Sequence, residues 1–315
     1  MLKYRLLLGP ILIAAMVAGL WLDGWVDRQP IPASMAYLTG FVGDPQTFPR
    51  GVIVFLVIVP LSFIAATELV GILKRKNVAA SRWITCAAAL VGLCVSSLVP
   101  ADVKPTTSIA IANTCAAGVL ALALAYYARR RTFEGVIASA GGTLLAFVYL
   151  GLMFGFVLAI RREHSAWVLL WILLVVKSFD IGAYFTGRSI GKHKMIPWLS
   201  PGKTWEGVLG GLVLSAIVAA LGRWLLVEQD WLVPERFSDG LAWVLVGGAI
   251  AGLIFGAIGQ IGDLMASLLK RDAGVKDSGT SLPGFGGVLD VIDSPLLVAP
   301  VAYWWMWAIE SAAPA

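Results

Sequence analysis

Nine stretches of this sequence are apolar and long enough to cross a lipid bilayer, and no other feature restricts the fold as strongly. A helix that spans the hydrocarbon core needs about 20 mostly apolar residues. Of the 315 residues, 59% are hydrophobic and 14% are charged, which excludes a soluble globular protein. We predict an all-α, polytopic integral membrane protein with about nine transmembrane helices, at about 6 to 22, 51 to 73, 83 to 100, 107 to 128, 135 to 160, 166 to 186, 206 to 227, 241 to 262 and 288 to 309.

The distribution of Lys and Arg predicts the orientation of these helices. If the N-terminus is cytoplasmic, sixteen of these residues fall in inner segments and seven in outer segments. Cytoplasmic loops carry the excess of Lys and Arg, so we predict a cytoplasmic N-terminus. Arg161 and Arg162 oppose this bias, because they fall in an outer loop. The net charge of +5 therefore belongs mainly to inner loops, which suits anionic lipid and not nucleic acid.

The first stretch has two interpretations. It follows Lys3 and Arg5, as the apolar core of a signal peptide would. No small-residue cleavage site follows it, and we therefore interpret it as a transmembrane helix.

Ionisable residues divide the chain at about residue 165. The first five stretches contain almost no ionisable groups, and residues 1–165 are predicted to form a scaffold of about five helices. From residue 166 onward, charged residues lie inside the stretches or at their cytoplasmic ends. The loops 187–205 and 263–287 are also rich in Gly, Ser, Thr and Lys. We predict that residues 166–315 form the catalytic region, with about four helices.

Lys177 and Asp180 lie within the sixth stretch, three residues apart, and therefore share a helix face. They could be a structural pair that neutralises itself. Charges inside a membrane are costly and usually face a cavity, so we favour a role in the site.

Lys203, Thr204 and Glu206 precede the seventh stretch. Gly202, Lys203 and Thr204 look like the end of a phosphate-binding P-loop, but Pro197 stands where that motif requires its first glycine. At a helix start these side chains could bind a phosphate or a metal together with the free backbone amides. They could equally form a Thr cap with Glu in the first turn.

Three acidic residues, Asp263, Asp290 and Asp293, lie at the inner ends of the eighth and ninth stretches. Like charges repel strongly in a medium of low dielectric constant unless cations lie between them. A divalent metal is the simplest solution, and oxygen ligands favour Mg²⁺. Helix-capping acids at a water interface are the alternative.

Gly248, Gly252 and Gly256 recur at every fourth position of the eighth stretch, a pattern typical of closely packed membrane helices. Their partner could be a helix of the same chain or of a second copy. A homodimer is one prediction that follows.

Two blocks of the sequence resemble the phosphatidate cytidylyltransferase family. The upstream block begins at Asp180 and contains the pieces AYFTGR, GKHK and SPGKTWEG. The downstream block resembles the C-terminal signature of that family in residues and in spacing. It comprises Ser267, Lys270, Arg271, Lys276, Asp277, Gly279, Leu282, Pro283, Gly286, Gly287, Asp290 and Asp293. Together the blocks cover about 165 to 300.

The resemblance implies an enzyme that condenses CTP with phosphatidic acid, a membrane lipid, to give CDP-diacylglycerol and pyrophosphate. It implies an integral protein of a bacterial inner (plasma) membrane with its site facing the cytoplasm. It implies one or two Mg²⁺ ions held by Asp263, Asp290 and Asp293, with Lys270 and Lys276 also catalytic. The implied substrate-binding residues are Lys203, Thr204, Arg271, Ser267, Asp180 and Asp277.

Two positions depart from the signature. Phe285 stands where His is usual, and Val291 stands where Arg is usual. Four alternatives stay open beside the implied activity: a CTP-dependent lipid kinase, a cytidylyltransferase for another lipid phosphate, a catalytically silent member of the family, and a transporter. A transporter would be expected to show an inverted repeat of the 166 to 293 pattern, and the sequence has none.

Overall fold

The computed structural model describes residues 2–31, 47–98, 104–129, 134–229, 231–232 and 240–311. Within these ranges the chain forms nine helices and one short hairpin, which confirms the prediction of an all-α polytopic membrane protein. The helices are α1 (Leu2–Val26), α2 (Val52–Arg75), α3 (Arg82–Leu98), α4 (Pro105–Ala128), α5 (Val136–Glu163), α6 (Ala166–Ile190), α7 (Trp205–Glu228), α8 (Leu241–Asp272) and α9 (Leu289–Ser311). The hairpin strands are β1 (Lys194–Ile196) and β2 (Ser200–Thr204).

The predicted count of nine spans is too high for the described residues. Seven of the helices are long and apolar enough to cross a membrane, namely α1, α2, α4, α5, α6, α7 and α8. The apolar part of α3 is short, at Arg82–Ser96. Helix α9 contains Asp290 and Asp293 near its start and several tryptophans near its end. Both kinds of residue lower its mean hydropathy.

The chain divides into two compact units. Unit 1 comprises Met1–Arg162 and Asp272–Val291, and unit 2 comprises Glu163–Arg271 and Ile292–Ala315. The segment 272–291, which contains part of the downstream signature block, thus belongs to the same unit as α1 to α5. The assignment of a scaffold role to 1–165 and a catalytic role to 166–315 stays a prediction.

In unit 1, α3 and α5 pack at very short range. A Cβ atom on Gly92 would lie 2.5 Å from the Phe147 carbonyl oxygen, and one on Gly151 would lie 2.5 Å from the Ala89 carbonyl oxygen. Only glycine allows two backbones to approach so closely. Helix α5 adopts a π-helical turn over Ala146–Leu152 at this crossing.

A buried ion cluster ties together α1, α2 and α5 of unit 1. The Arg161 guanidinium donates to the carboxylates of Asp23 and Asp27, and both Arg161 and Asp23 are 1% exposed. Asp23 also accepts hydrogen bonds from the amides of Ile53 (2.9 Å) and Val54 (3.1 Å) at the start of α2. Arg161 therefore serves as a structural counter-ion, which explains why it opposes the charge bias of the loops.

The count of Lys and Arg in the inner and outer loops also includes Arg130, Arg131 and Arg236. These three residues lie outside the described residues. The cytoplasmic position of the N-terminus stays a prediction.

In unit 2, the spaced glycines of α8 pack against α7 of the same chain. A Cβ on Gly252 would lie 2.4 Å from the Ser215 carbonyl oxygen, and one on Gly248 would lie 2.7 Å from the Ala220 Cα. The Ser215 hydroxyl also donates to the Gly252 carbonyl oxygen at 3.0 Å. These glycines therefore no longer argue for a homodimer, which stays a prediction.

The hairpin connects α6 to α7 within unit 2. Its antiparallel strands pair Lys194 with Thr204 and Ile196 with Ser200. The Thr204 hydroxyl accepts a hydrogen bond from the Gly207 amide at 3.1 Å and caps the start of α7. The hairpin thus fixes Lys203 immediately before the first turn of a membrane helix.

Candidate active site

An ion pair in unit 2 joins the upstream signature block to helix α8. Lys203 Nζ, at the end of β2, lies 2.6 Å from Asp263 Oδ2 on α8. The Lys203 side chain is 19% exposed and that of Asp263 is 34% exposed. An ammonium group has three donors, and Lys203 Nζ forms no further hydrogen bond with the described residues. Donors are thus left over for an anionic ligand.

Asp293 on α9 belongs to the same cluster of unit 2. It is 3% exposed, and the charges of Asp263, Lys270 and Lys177 act on it. The α8 and α9 backbones cross beside it, because a Cβ on Gly262 would lie only 2.8 Å from the Asp293 carbonyl oxygen. The absence of a side chain at Gly262 therefore lets the two helices that carry Asp263 and Asp293 pack closely.

Lys177 and Asp180 on α6 form an ion pair, with Nζ and Oδ2 3.3 Å apart and both side chains about two-fifths exposed. Asp180 also lies within electrostatic range of Asp263 and Lys203. The pair thus borders the cluster, and its participation in the reaction stays a prediction.

A second buried donor lies on α8, three residues before Asp263. Gln260 is 7% exposed, and its Nε2 has no hydrogen-bond acceptor among the described residues. Residues three apart on a helix share a face. Gln260 and Lys203 are therefore both incompletely satisfied near Asp263.

The structure shows the capping arrangement that the sequence allowed for the start of α7. Besides the Thr204 cap, the Glu206 carboxylate accepts hydrogen bonds from the Lys192 amide at 3.1 Å and from the His193 ring at 2.6 Å. Glu206 therefore holds the loop before β1. Contact of Thr204 with a substrate stays a prediction.

The remaining predicted site residues of unit 2 lie on the last two turns of α8. Lys270 is 8% exposed, Ser267 is half-buried and Arg271 is exposed. In unit 1, Lys276 and Asp277 are exposed in the segment that leads to α9.

Asp290, predicted as a metal ligand, lies in unit 1 within a hydrogen-bonded network. Its Oδ2 accepts from the Ser278 amide (2.9 Å), the Ser278 hydroxyl (3.0 Å) and the Gly287 amide (2.8 Å). The Ser278 hydroxyl also lies 2.9 Å from Glu68 Oε2. Sequence reasoning missed Glu68, although one carboxylate within an otherwise apolar helix is a signal for function.

No group of three or more Asp, Glu, His or Cys side chains is arranged to hold a metal among the residues that the structure describes. The role of Asp263, Asp290 and Asp293 as metal ligands stays a prediction. Mg²⁺, however, is often held by one or two carboxylates, with substrate phosphates and water completing its shell. Asp263 and Asp293 meet that requirement in donor chemistry, so Mg²⁺ stays a prediction.

A cavity of about 170 Å³ lies elsewhere in unit 1. It is lined by Pro49, Arg50, Gly51, Val52, Phe55, Leu56, Ser96, Leu158, Ala159 and Arg162. None of the predicted site residues lines it, so we assign it no part in catalysis.

Comparison with known proteins agrees with the two signature blocks. A family model described as "Cytidylyltransferase family" matches residues 34–309. A phosphatidate cytidylyltransferase of Haemophilus influenzae is 41% identical over 137 residues, which cover 44% of each chain. One of Bacillus subtilis is 38% identical over 174 residues, 55% of this chain and 58% of that protein.

An uncharacterised protein of Escherichia coli is also similar, with 37% identity over 158 residues, 46% of this chain and 48% of that protein. The chain spans about half the length of these relatives.

Proposed function

Because this chain belongs to the cytidylyltransferase family, we propose that it transfers the cytidylyl group of CTP to phosphatidic acid. An oxygen of the lipid phosphate attacks the α-phosphorus of CTP. The bond from the α-phosphorus to the bridging oxygen breaks, and pyrophosphate leaves. The products are CDP-diacylglycerol and pyrophosphate.

The observation that best supports this proposal is the cluster around the Lys203–Asp263 pair. It places two carboxylates and several lysines at the ends of apolar helices, with donors of Lys203 not yet used. Catalysis of phosphoryl and nucleotidyl transfer relies on positioning and on stabilisation of charge. An anionic nucleotide and an anionic lipid both require such a group of cations.

Lys203, Lys270, Arg271 and Lys276 are proposed to hold the phosphates of CTP and of the lipid. Thr204, Ser267, Asp180 and Asp277 are proposed to line the binding site. No side chain has to remove a proton from the nucleophile, since a phosphate monoester is already an anion at neutral pH. Positioning and charge neutralisation are therefore the tasks of this chain.

Mg²⁺ is the proposed cofactor, and Asp263 and Asp293 suit it in donor chemistry, because both offer carboxylate oxygens. Asp290 is the third proposed ligand. When bound, the ion would neutralise charge on the nucleotide phosphates. Lys203, which pairs with Asp263, and Lys270 would help to orient the two carboxylates before the nucleotide arrives.

The proposed location is the inner membrane, with the site open to the cytoplasm where CTP is found. The lipid substrate would reach the site from the bilayer around the apolar helices. The excess of Lys and Arg in the predicted inner loops supports this orientation.

Phe285 and Val291 depart from the signature and favour one second candidate function. This candidate is a family member that acts on another substrate or has no activity. Backbone groups hold the turn at the first departure, since the Phe285 amide donates to the Leu282 carbonyl oxygen at 3.0 Å. The Val291 amide likewise donates to the Val288 carbonyl oxygen at 3.0 Å. These bonds keep the backbone in place whatever the side chain. We favour the active enzyme because the acidic residues and the lysines of the signature remain.

The test is pyrophosphate release by the purified protein in detergent with CTP, Mg²⁺ and phosphatidic acid, beside Asp290→Asn. Release that requires the lipid and disappears in the variant supports the proposal. Release of CDP instead would identify a CTP-dependent kinase. Absence of both products, with other lipid phosphates also tried, would indicate a silent or altered member.

A further inference from the structure

We propose that Glu68 is a positioning residue for the reaction: it fixes the segment 277–289, here called the signature loop, and through it the Asp290 carboxylate. This inference rests on the proposed function, because Asp290 matters for catalysis only if the chain is a cytidylyltransferase. Glu68 itself belongs to α2, in the half of the chain predicted to be scaffold.

Glu68 is joined to the signature loop by four hydrogen bonds within unit 1. Its Oε1 accepts from the Ser281 hydroxyl (2.6 Å) and the Val288 amide (2.9 Å). Its Oε2 accepts from the Ser278 hydroxyl (2.9 Å) and the Leu289 amide (2.9 Å). Both oxygens are thus fully used, at both ends of the loop.

The environment of Glu68 makes this arrangement costly to lose. The residue is 7% exposed in a helix that is otherwise apolar in this region. A buried carboxylate is tolerated only when donors satisfy it. Two of its donors are backbone amides at the start of α9, where the helix dipole also favours a negative charge.

The hydroxyl of Ser278 connects Glu68 to Asp290. It lies 2.9 Å from Glu68 Oε2 and 3.0 Å from Asp290 Oδ2. A hydroxyl carries one proton and can donate to only one of these carboxylates at a time. When the hydroxyl donates to Glu68, the Ser278 amide still donates to Asp290 Oδ2 at 2.9 Å. Glu68 thus holds Ser278, and Ser278 in turn holds Asp290.

The glycines of the signature loop fit around the Glu68 carboxylate. A Cβ on Gly279 would lie 2.9 Å from Glu68 Oε1, and a Cβ on Gly287 would lie 2.4 Å from Glu68 Oε2. A side chain at either position would push the carboxylate away. Glu68 thus gives a physical reason for two glycines that the signature contains.

The experiment compares Glu68→Gln with Thr67→Val in the full-length protein. Gln keeps the size of the side chain but replaces one acceptor oxygen by a donor, which leaves either the Val288 amide or the Leu289 amide without its acceptor. The Thr67 hydroxyl bonds only within its own helix, to the Ile64 carbonyl oxygen at 2.8 Å, so Thr67→Val is a matched control. Hydrogen–deuterium exchange then measures protection of the signature loop, independently of any activity.

We expect Glu68→Gln to speed amide exchange at Val288 and Leu289, while exchange in α3 and α5 stays as in the native protein. The second readout is the Mg²⁺ concentration that gives half-maximal pyrophosphate release. It should rise about 10- to 100-fold, the usual effect of losing a group that orients a metal ligand. A purely structural defect would lower the amount of active protein without changing that concentration.

If the native protein is active and Glu68→Gln matches Thr67→Val in exchange and in Mg²⁺ dependence, the proposal is wrong. If exchange rises locally but the native protein releases no pyrophosphate, the proposed function fails while the attachment of the loop by Glu68 is supported. Should Glu68→Gln not fold, Ser281→Ala removes one donor without unpairing a buried charge. It should raise exchange in the same loop, and unchanged exchange there would contradict the proposal.

Discussion

The charged clusters of the two units differ in how completely their polar groups are satisfied. In unit 1, both Glu68 oxygens have donors, and Arg161 is enclosed by Asp23 and Asp27. In unit 2, Lys203 and Gln260 retain donors that the described residues do not use. A saturated cluster has little capacity for a ligand, whereas an unsaturated one is suited to bind an anion.

This difference distinguishes charged residues that stabilise an apolar protein from charged residues that take part in its chemistry. Substitutions of Arg161 and of Glu68 should act through stability or loop order, and in the case of Glu68 this changes catalysis only through Asp290. Substitutions in the unsaturated cluster should mainly change catalysis. The following predictions test this separation, beginning with the largest expected effect.

Arg161→Met should lower the free energy of unfolding by about 3–5 kcal/mol, because it leaves the buried Asp23 carboxylate and the partly buried Asp27 carboxylate without their counter-ion. The measurement is unfolding in an SDS titration, followed by circular dichroism. Arg28→Met is the control, since Arg28 is exposed near the same end of α1. Equal stability of the two variants would show that the Arg161 cluster does not hold unit 1 together.

Asp263→Asn should reduce kcat by about 100- to 1,000-fold, the usual loss when one group that stabilises developing charge is removed. Its unfolding should remain close to that of the native protein, because the side chain is one-third exposed. Asp272→Asn, on the same helix but with a 64% exposed side chain, is the control. A similar kcat in both variants would remove Asp263 from the site.

Lys203→Met should raise the KM for CTP about 10- to 100-fold, since a hydrogen bond to a charged group contributes about 1.5–3 kcal/mol. Lys192→Met changes the charge equally at an exposed position in the same loop and should leave KM unchanged. Steady-state kinetics with varied CTP makes the comparison. Equal KM values would mean that the free donors of Lys203 do not meet the nucleotide.

The smallest effect is expected for Phe285→His combined with Val291→Arg, which restores the usual signature. Because the acidic residues and lysines of the signature remain in the native chain, kcat should change by about threefold or less, as at sites without a specific structural role. Activity that appears only in the restored protein would instead show that the native chain is silent.

The positions of the helices followed from the sequence because a run of apolar residues of bilayer length has few other stable arrangements. The nine predicted stretches correspond to nine described helices, and the error lay in counting α3 and α9 as full spans. The apolar run of α9 follows two acidic residues, Asp290 and Asp293, which lower the hydropathy of the helix.

The hydrogen-bonded clusters could not be predicted in the same way. Glu68 bonds to residues more than 200 positions away, and Arg161 to an aspartate 138 positions away. Local spacing contains no information about such partners. Glu68 is nevertheless recognisable in the sequence, because it is the single acidic residue of an apolar stretch.

The most direct test uses two preparations of CTP, one radioactive at the α-phosphate and the other at the γ-phosphate. For each preparation, the radioactivity that enters the lipid is measured. The protein is supplied in vesicles that contain phosphatidic acid, with Mg²⁺ present and with Asp263→Asn as the inactive control. The account predicts that the α label enters the lipid and that the γ label appears in pyrophosphate. Entry of the γ label into lipid, or of neither label, would contradict it.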